Sequence, residues 1–177
     1  MSRKEGKSMP KTKTQRLVFT ALLTALTCVT TMAVKIPSPL NGYLNLGDAA
    51  VLLAAFLLPP AHGCFAAGVG SALADLFSGY AMYAPATLAI KALMALIVFA
   101  VAKLLFSKKM RTAKRIAGAL LAEIWMVLGY YIFEGFLYGF AASLVNIPAN
   151  AVQGAVGAVL GVLLVHMIDK IAPPTEN

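Results

Sequence analysis

Charge is scarce in this chain. Only 12% of its 177 residues are Asp, Glu, Lys or Arg and 60% are hydrophobic, whereas a soluble domain carries roughly a quarter charged residues. With a mean hydropathy of +0.80, that shortage excludes a soluble globular domain and predicts an integral membrane protein. Cysteine is nearly absent too: Cys28 and Cys64 sit inside apolar runs without CxxC spacing, so they give no redox or metal signal and read as small packing residues. The two histidines, His62 and His166, fall at chain positions far from the intramembrane acids. There is no HExxH, no GxSxG and no Asp-rich cluster, which leaves a membrane-embedded enzyme without a nucleophile or metal set. A Walker A pattern is missing as well, so the chain is not itself expected to hydrolyse ATP.

What charge there is has a pattern. The formal net charge of +8 comes from basic residues gathered in two clusters, Arg3 to Arg16 and Lys103 to Arg115. Both flank apolar segments, which makes them an orientation signal rather than a nucleic-acid surface, with binding to anionic lipid headgroups as a by-product. A spanning helix needs about 20 apolar residues, so six spans nearly exhaust the length. The expected fold is an all-α integral membrane protein of six transmembrane helices with both termini cytoplasmic. Residues 1–16 form a basic cytoplasmic N-terminal segment, 17–171 the six-helix domain and 172–177 a cytoplasmic tail.

Prolines and polar turns punctuate the spans. The first runs from about Leu17 to Val34, with Ala21 and Ala25 one turn apart on a small-residue face. A loop, Lys35 to Asn45, leads to a short second span, Leu46 to Leu58, stopped by Pro59 and Pro60. Ala61 to Phe77 returns outward with a small-residue stripe, and Ser78 to Ala84 forms an external turn. The fourth span, Ala86 to Phe106, ends in the second basic cluster. The fifth is Ile116 to Phe140; Ser143 to Ile147 is the last external turn, and Pro148 opens the sixth span.

Ionisable groups inside a bilayer are costly and usually functional. Counting a helix rise of about 1.5 Å per residue, Asp48 and Asp75 lie ~3 Å below the outer ends of their helices, and Lys91 and Glu134 ~9 Å below theirs. Asn146, Asn150 and Gln153 share one face at the entrance of the sixth span. Convergence at one depth predicts a binding pocket in the outer half, with Asp75 at its rim and Lys91 on its floor. Asn41 and Tyr43 from the first external loop join it, and Tyr43, Tyr80, Tyr83, Tyr130 and Tyr138 offer rings for stacking, with Tyr83 and Tyr138 taken into the site. An acidic excess favours a polar or weakly basic heterocycle. Glu123 lies ~25 Å from the outer end of its helix, and is expected to pair with Lys103 or Lys114 or to serve a subunit contact.

The run YLNLGDAAVLLAAFLLPP (Tyr43 to Pro60), the run GSALADLFSGYAMYAPATLAIKALMALI (Gly70 to Ile97) and the AxxxA of the first span carry a resemblance. They resemble the substrate-binding S component of an energy-coupling factor (ECF) vitamin transporter, nearest the hydroxymethylpyrimidine- and pyridoxine-type branch. The resemblance covers about residues 14 to 171. It implies a multi-pass protein of the bacterial cytoplasmic membrane that captures a vitamin or precursor and docks, through Ala21 and Ala25, on a transmembrane coupling subunit driven by two ATP-binding-cassette ATPases. It also implies that the external loops close over the ligand, and that this non-catalytic subunit carries no cofactor, ATP being used by its partners. The alternatives are an S component for riboflavin or thiamine, or a stand-alone secondary transporter or channel. The last would place polar groups on both sides of the midplane or show an internal repeat, and neither is evident.

Overall fold

The computed structural model describes residues 12–40, 42–104 and 111–171. Helix α1, Lys13–Ala33, starts at Thr12, whose side chain and that of Gln15 cap each other's backbone N–H groups. Its buried threonines need no partner from other helices, because Thr20, Thr27 and Thr31 donate to the carbonyls of Arg16, Leu23 and Thr27 one turn back. That threonine face turns inward. Ala21 and Ala25 lie on the exposed side with Leu17, Leu22 and Leu26.

The segment after α1 is not a plain loop. Ile36–Pro37 (β1) and Tyr43–Leu44 (β2) pair antiparallel into a small hairpin, an addition to the expected all-α fold. Helix α2, Gly47–Leu57, follows with only 11 residues, all of Gly47 to Ala55 being buried. A helix apolar on every side belongs in the interior, and α2 accordingly touches α1, α3, α4 and α7. Helix α3, Pro60–Phe77, has proline in its first turn. Gly70 lets α3 approach α1 closely, since a Cβ there would lie 2.6 Å from the Thr24 carbonyl oxygen.

Helix α4, Ala84–Leu104, packs on α3 and α5, and α5, Arg111–Tyr138, packs on α7. The fifth helix therefore begins more than a turn before the expected Ile116. It ends at Gly139, whose φ of 91° only glycine adopts readily and which breaks the helix before Phe140. The turn expected between the fifth and sixth spans is itself helical: a short α6, Phe140–Ser143, and a 3₁₀ turn, Leu144–Asn146, lead into α7, Ile147–Ile171. The expected extension of the fourth span through Phe106, and residues 1–11 and 172–177, lie outside the described residues.

Among the described residues, four stretches are long and apolar enough to cross a membrane: Lys13–Ala33, Ala84–Leu104, Arg111–Tyr138 and Phe140–Ile171. Large apolar side chains on their outer surfaces, such as Leu22, Leu120, Ile124 and Leu163, are exposed as lipid-facing residues are. The interior is filled by Val51, Leu52, Met94 and Met126, all at 0% exposure. This is a multi-pass membrane protein built around the short, buried helix α2.

Candidate functional site

Beneath the hairpin, the ends of α3, α4, α5 and α7 enclose a cleft of about 380 Å³ including its mouth. Its lining is polar, and each side chain is placed by a local feature of the chain. Asp75 stands at the last turn of α3, where its carboxylate Oδ1 accepts a 2.7 Å hydrogen bond from the Tyr43 hydroxyl of β2. The Tyr43 ring lies against Tyr80 at 4.6 Å between centroids. Burial, reinforced by the Asp75 carboxylate, pushes the Tyr43 phenol well above its ordinary range. It therefore stays neutral and remains the donor.

Across the cleft, Glu134 of α5 is the second acid. Asn146 donates to its Oε1 at 2.9 Å, and Tyr83 approaches the same oxygen at 3.4 Å while donating at 2.7 Å to the Leu40 carbonyl. Burial, then Tyr138 and Glu134, raise the Tyr83 phenol too. Gly42 admits the hairpin to this spot: a Cβ would meet Ser38 Oγ at 2.9 Å, with Tyr83 and Glu134 just beyond.

Gln153 of α7 closes the base. Its Oε1 accepts from the Asn45 backbone N–H at 2.9 Å, and its Nε2 donates to Asp48 Oδ2 at 2.7 Å. Below it, Lys91 and Asp48 form a buried ion pair. The Lys91 ammonium also lies 5.5 Å from the centre of the Tyr130 ring, whose hydroxyl is 3.1 Å from that of Thr87.

Of the residues expected in the pocket, Tyr43, Asp75, Tyr83, Glu134, Asn150 and Gln153 line the cleft. Asn146 is buried behind Glu134, and Tyr138 is near Tyr83. Asp48 and Lys91 lie beneath the cleft, committed to each other, so Lys91 is a brace under the floor rather than its surface. Asn41 lies outside the described residues. Glu123 corrects the expectation of a partner at Lys103 or Lys114: it is 5% exposed, neither carboxylate oxygen has a hydrogen-bond partner among the described residues, and it faces Gly154, Gly157 and Asp48. The azimuth of α5 turns it inward, away from the basic end. Ser38, Gly42, Asn45 and Thr87 were not anticipated. Thr87 had a signal, standing one turn before Lys91 on the same helix face, whereas the hairpin residues had none.

Three buried acceptor atoms around the cleft, Asp75 Oδ2, Glu134 Oε2 and Asn146 Oδ1, have no hydrogen-bond partner among the described residues. A buried acceptor left unpaired is costly. Such a group of atoms is suited to a ligand that brings donors. No cluster of three or more His, Cys, Asp or Glu side chains able to hold a metal occurs among the described residues.

Comparison with known proteins agrees with this architecture. A family model described as ECF-type riboflavin transporter, S component, matches residues 11–170. An uncharacterized protein in the gap 3′ region of Pyrococcus woesei is 41% identical over 148 residues, covering 82% of this chain and 96% of its own. The thiamine precursor transporter HmpT of Lactococcus lactis subsp. cremoris is 28% identical over 166 residues, 93% of each chain. A solved structure reported as the structure and mechanism of the S component of a bacterial ECF transporter superposes with a TM-score of 0.71 at 26% identity, covering 92% of this chain and 99% of that one.

Proposed function

Because this chain belongs to the S-component family of ECF-type transporters, we propose that it captures a small, single-ring vitamin precursor bearing N–H or O–H donors, of the hydroxymethylpyrimidine or pyridoxine class. The observation that carries this reading is the pair of unpaired acceptors on Asp75 and Glu134, the two acids that line the cleft. An aminopyrimidine with a hydroxymethyl arm supplies donors to match them. Lys91, beneath the cleft, is taken by Asp48, so it offers a phosphorylated or carboxylated vitamin no free counter-charge. The thiamine precursor named for the Lactococcus lactis relative supports this class. The riboflavin name of the family model is the second reading.

In this reading Tyr43, Asp75, Tyr83, Glu134, Asn150 and Gln153 contact the ligand, and the hairpin with the Ser78 to Ala84 turn forms the lid. Six helices, α1 to α5 and α7, cross the cytoplasmic membrane with both termini inside, so that the cleft opens outward. Ala21 and Ala25, exposed on α1, dock on a transmembrane coupling subunit whose two ATPase partners supply the energy. The subunit itself is not an enzyme and needs no cofactor. Calorimetric titration of the purified protein with hydroxymethylpyrimidine, pyridoxine, thiamine and riboflavin tests the assignment. Tight binding of a single-ring ligand is expected; preference for riboflavin selects the second reading.

A further inference from the structure

The end of the bundle opposite the hairpin holds a second cavity with a different chemistry. It lies between α2, α4 and α5, encloses about 570 Å³ including its open side, and has an apolar floor made by Phe56, Val98 and Phe99. Its lip is cationic, formed by Arg111, Lys114 and Arg115 of α5. Arg115 is fixed in place. It donates to Asp169 of α7 at 2.6 Å, and its guanidinium stands 5.8 Å from the centre of the Phe56 ring. Arg111 reaches the same carboxylate only at 3.5 Å with its side chain 53% exposed, and Lys114 makes a 3.5 Å contact with the Ala102 carbonyl. Among the described residues one acid thus faces three cations, which leaves the lip positively charged.

The cavity has a structural cause. Helix α2 has 11 residues, about 16 Å of rise against a hydrocarbon thickness near 30 Å. Its end at Phe56 and Leu57 stops short while α4 and α5 continue alongside, and the notch opens beneath it. A notch with an apolar floor and a cationic lip, at the edge of a membrane helix, matches one amphiphile: an anion joined to an alkyl chain.

We propose that this notch is a binding site for one anionic phospholipid, its phosphate held by Arg111 and Lys114 and its acyl chain lying on Phe56, Val98 and Phe99. Arg115, already committed to Asp169 and Phe56, shapes the site. The lipid completes the apolar thickness that α2 lacks. The site is separate from the vitamin cleft and does not depend on which vitamin is bound.

The test uses the full-length protein in nanodiscs of phosphatidylcholine doped with phosphatidylglycerol, with lipid retention read by native mass spectrometry after release. Wild type is expected to retain one phosphatidylglycerol in roughly tenfold or greater preference over phosphatidylcholine, two basic contacts being enough for that. Arg111→Gln/Lys114→Gln is expected to abolish the preference, Lys114→Gln alone to reduce it, and Lys170→Gln, on the exposed end of α7, to leave it intact. Inorganic phosphate at millimolar concentration is expected not to displace the lipid. Equal retention of both lipids, an equal loss in Lys170→Gln, or displacement by phosphate would each overturn the proposal. The first denies a site, the second makes the effect diffuse, and the third assigns the lip to a free anion.

Discussion

Lys91 of α4 and Asp48 of α2 are paired in the centre of the protein, with side chains 3% and 0% exposed. The pair is completed by Gln153 of α7, which donates to the other Asp48 oxygen. Three helices therefore meet at one carboxylate. Removing one member of a buried pair strands the other charge and typically costs about 3–5 kcal/mol. Lys91→Met is expected to lower the thermal midpoint by roughly 10 °C. Asp48→Asn/Lys91→Met should recover much of that loss in thermal unfolding followed by tryptophan fluorescence. A double variant no more stable than Lys91→Met would show that the pair is not the source.

Glu134→Gln keeps a carbonyl for Asn146 but replaces the second acceptor with a donor. Affinity for the cognate ligand is expected to fall about tenfold or more, as for loss of one charge-assisted hydrogen bond, with thermal stability of the ligand-free protein unchanged or higher. Calorimetry and a melting curve on the same preparation separate the two effects.

Tyr43→Phe removes the hydroxyl that holds Asp75. A loss of about 1–2 kcal/mol, or roughly five- to thirtyfold in affinity, is expected from the freed carboxylate oxygen. Because burial and Asp75 keep the wild-type phenol protonated, the ratio of wild-type to variant affinity should be flat between pH 6 and about pH 9. A ratio collapsing towards one within that window would mean that the phenol ionises there.

Gly157 faces both Asp48 and Glu123, and a Cβ at that position would come within 2.6 Å of Asp48 Cβ and 2.9 Å of Glu123 Oε1. Gly157→Ala is expected to destabilise by about 1–3 kcal/mol through overpacking. Gly79→Ala, with nothing near the new methyl, should cost only the backbone strain of its positive φ, about 1 kcal/mol. Thermal midpoints of the two variants give the order directly.

Ala21→Trp/Ala25→Trp tests the exposed side of α1. Uptake by cells expressing the coupling and ATPase subunits should be lost while ligand affinity of the purified subunit stays within about twofold, the side chains being outside the packed interior. Loss of binding as well would make α1 part of the pocket's support.

Hydropathy and prolines place the helices in the sequence to within a turn or so because both act locally: Pro60 and Pro148 sit in the first turns of α3 and α7. Depth was legible in part, since rise per residue is nearly constant: Asp75, Glu134 and Gln153 line one cleft, whereas Asp48, expected near the outer end of its helix, lies beneath it in the buried pair. Azimuth was not. Lys91 points at Asp48 and Glu123 points inward because of how α4 and α5 rotate against their neighbours, and a nearly uniform apolar sequence leaves that rotation unmarked. The hairpin escaped notice for another reason. Its strands have two residues each, too few for alternation, and Pro37 argues against a strand except at an edge.

Gln153 ties the hairpin to the core pair. One end of its amide holds the strand exit at Asn45 and the other holds the central carboxylate, so lifting the hairpin breaks a bond on which the orientation of the core pair depends. On the proposed reading, in which the hairpin is the lid, Gln153→Leu is expected to speed ligand dissociation, read from the off-rate of the bound ligand.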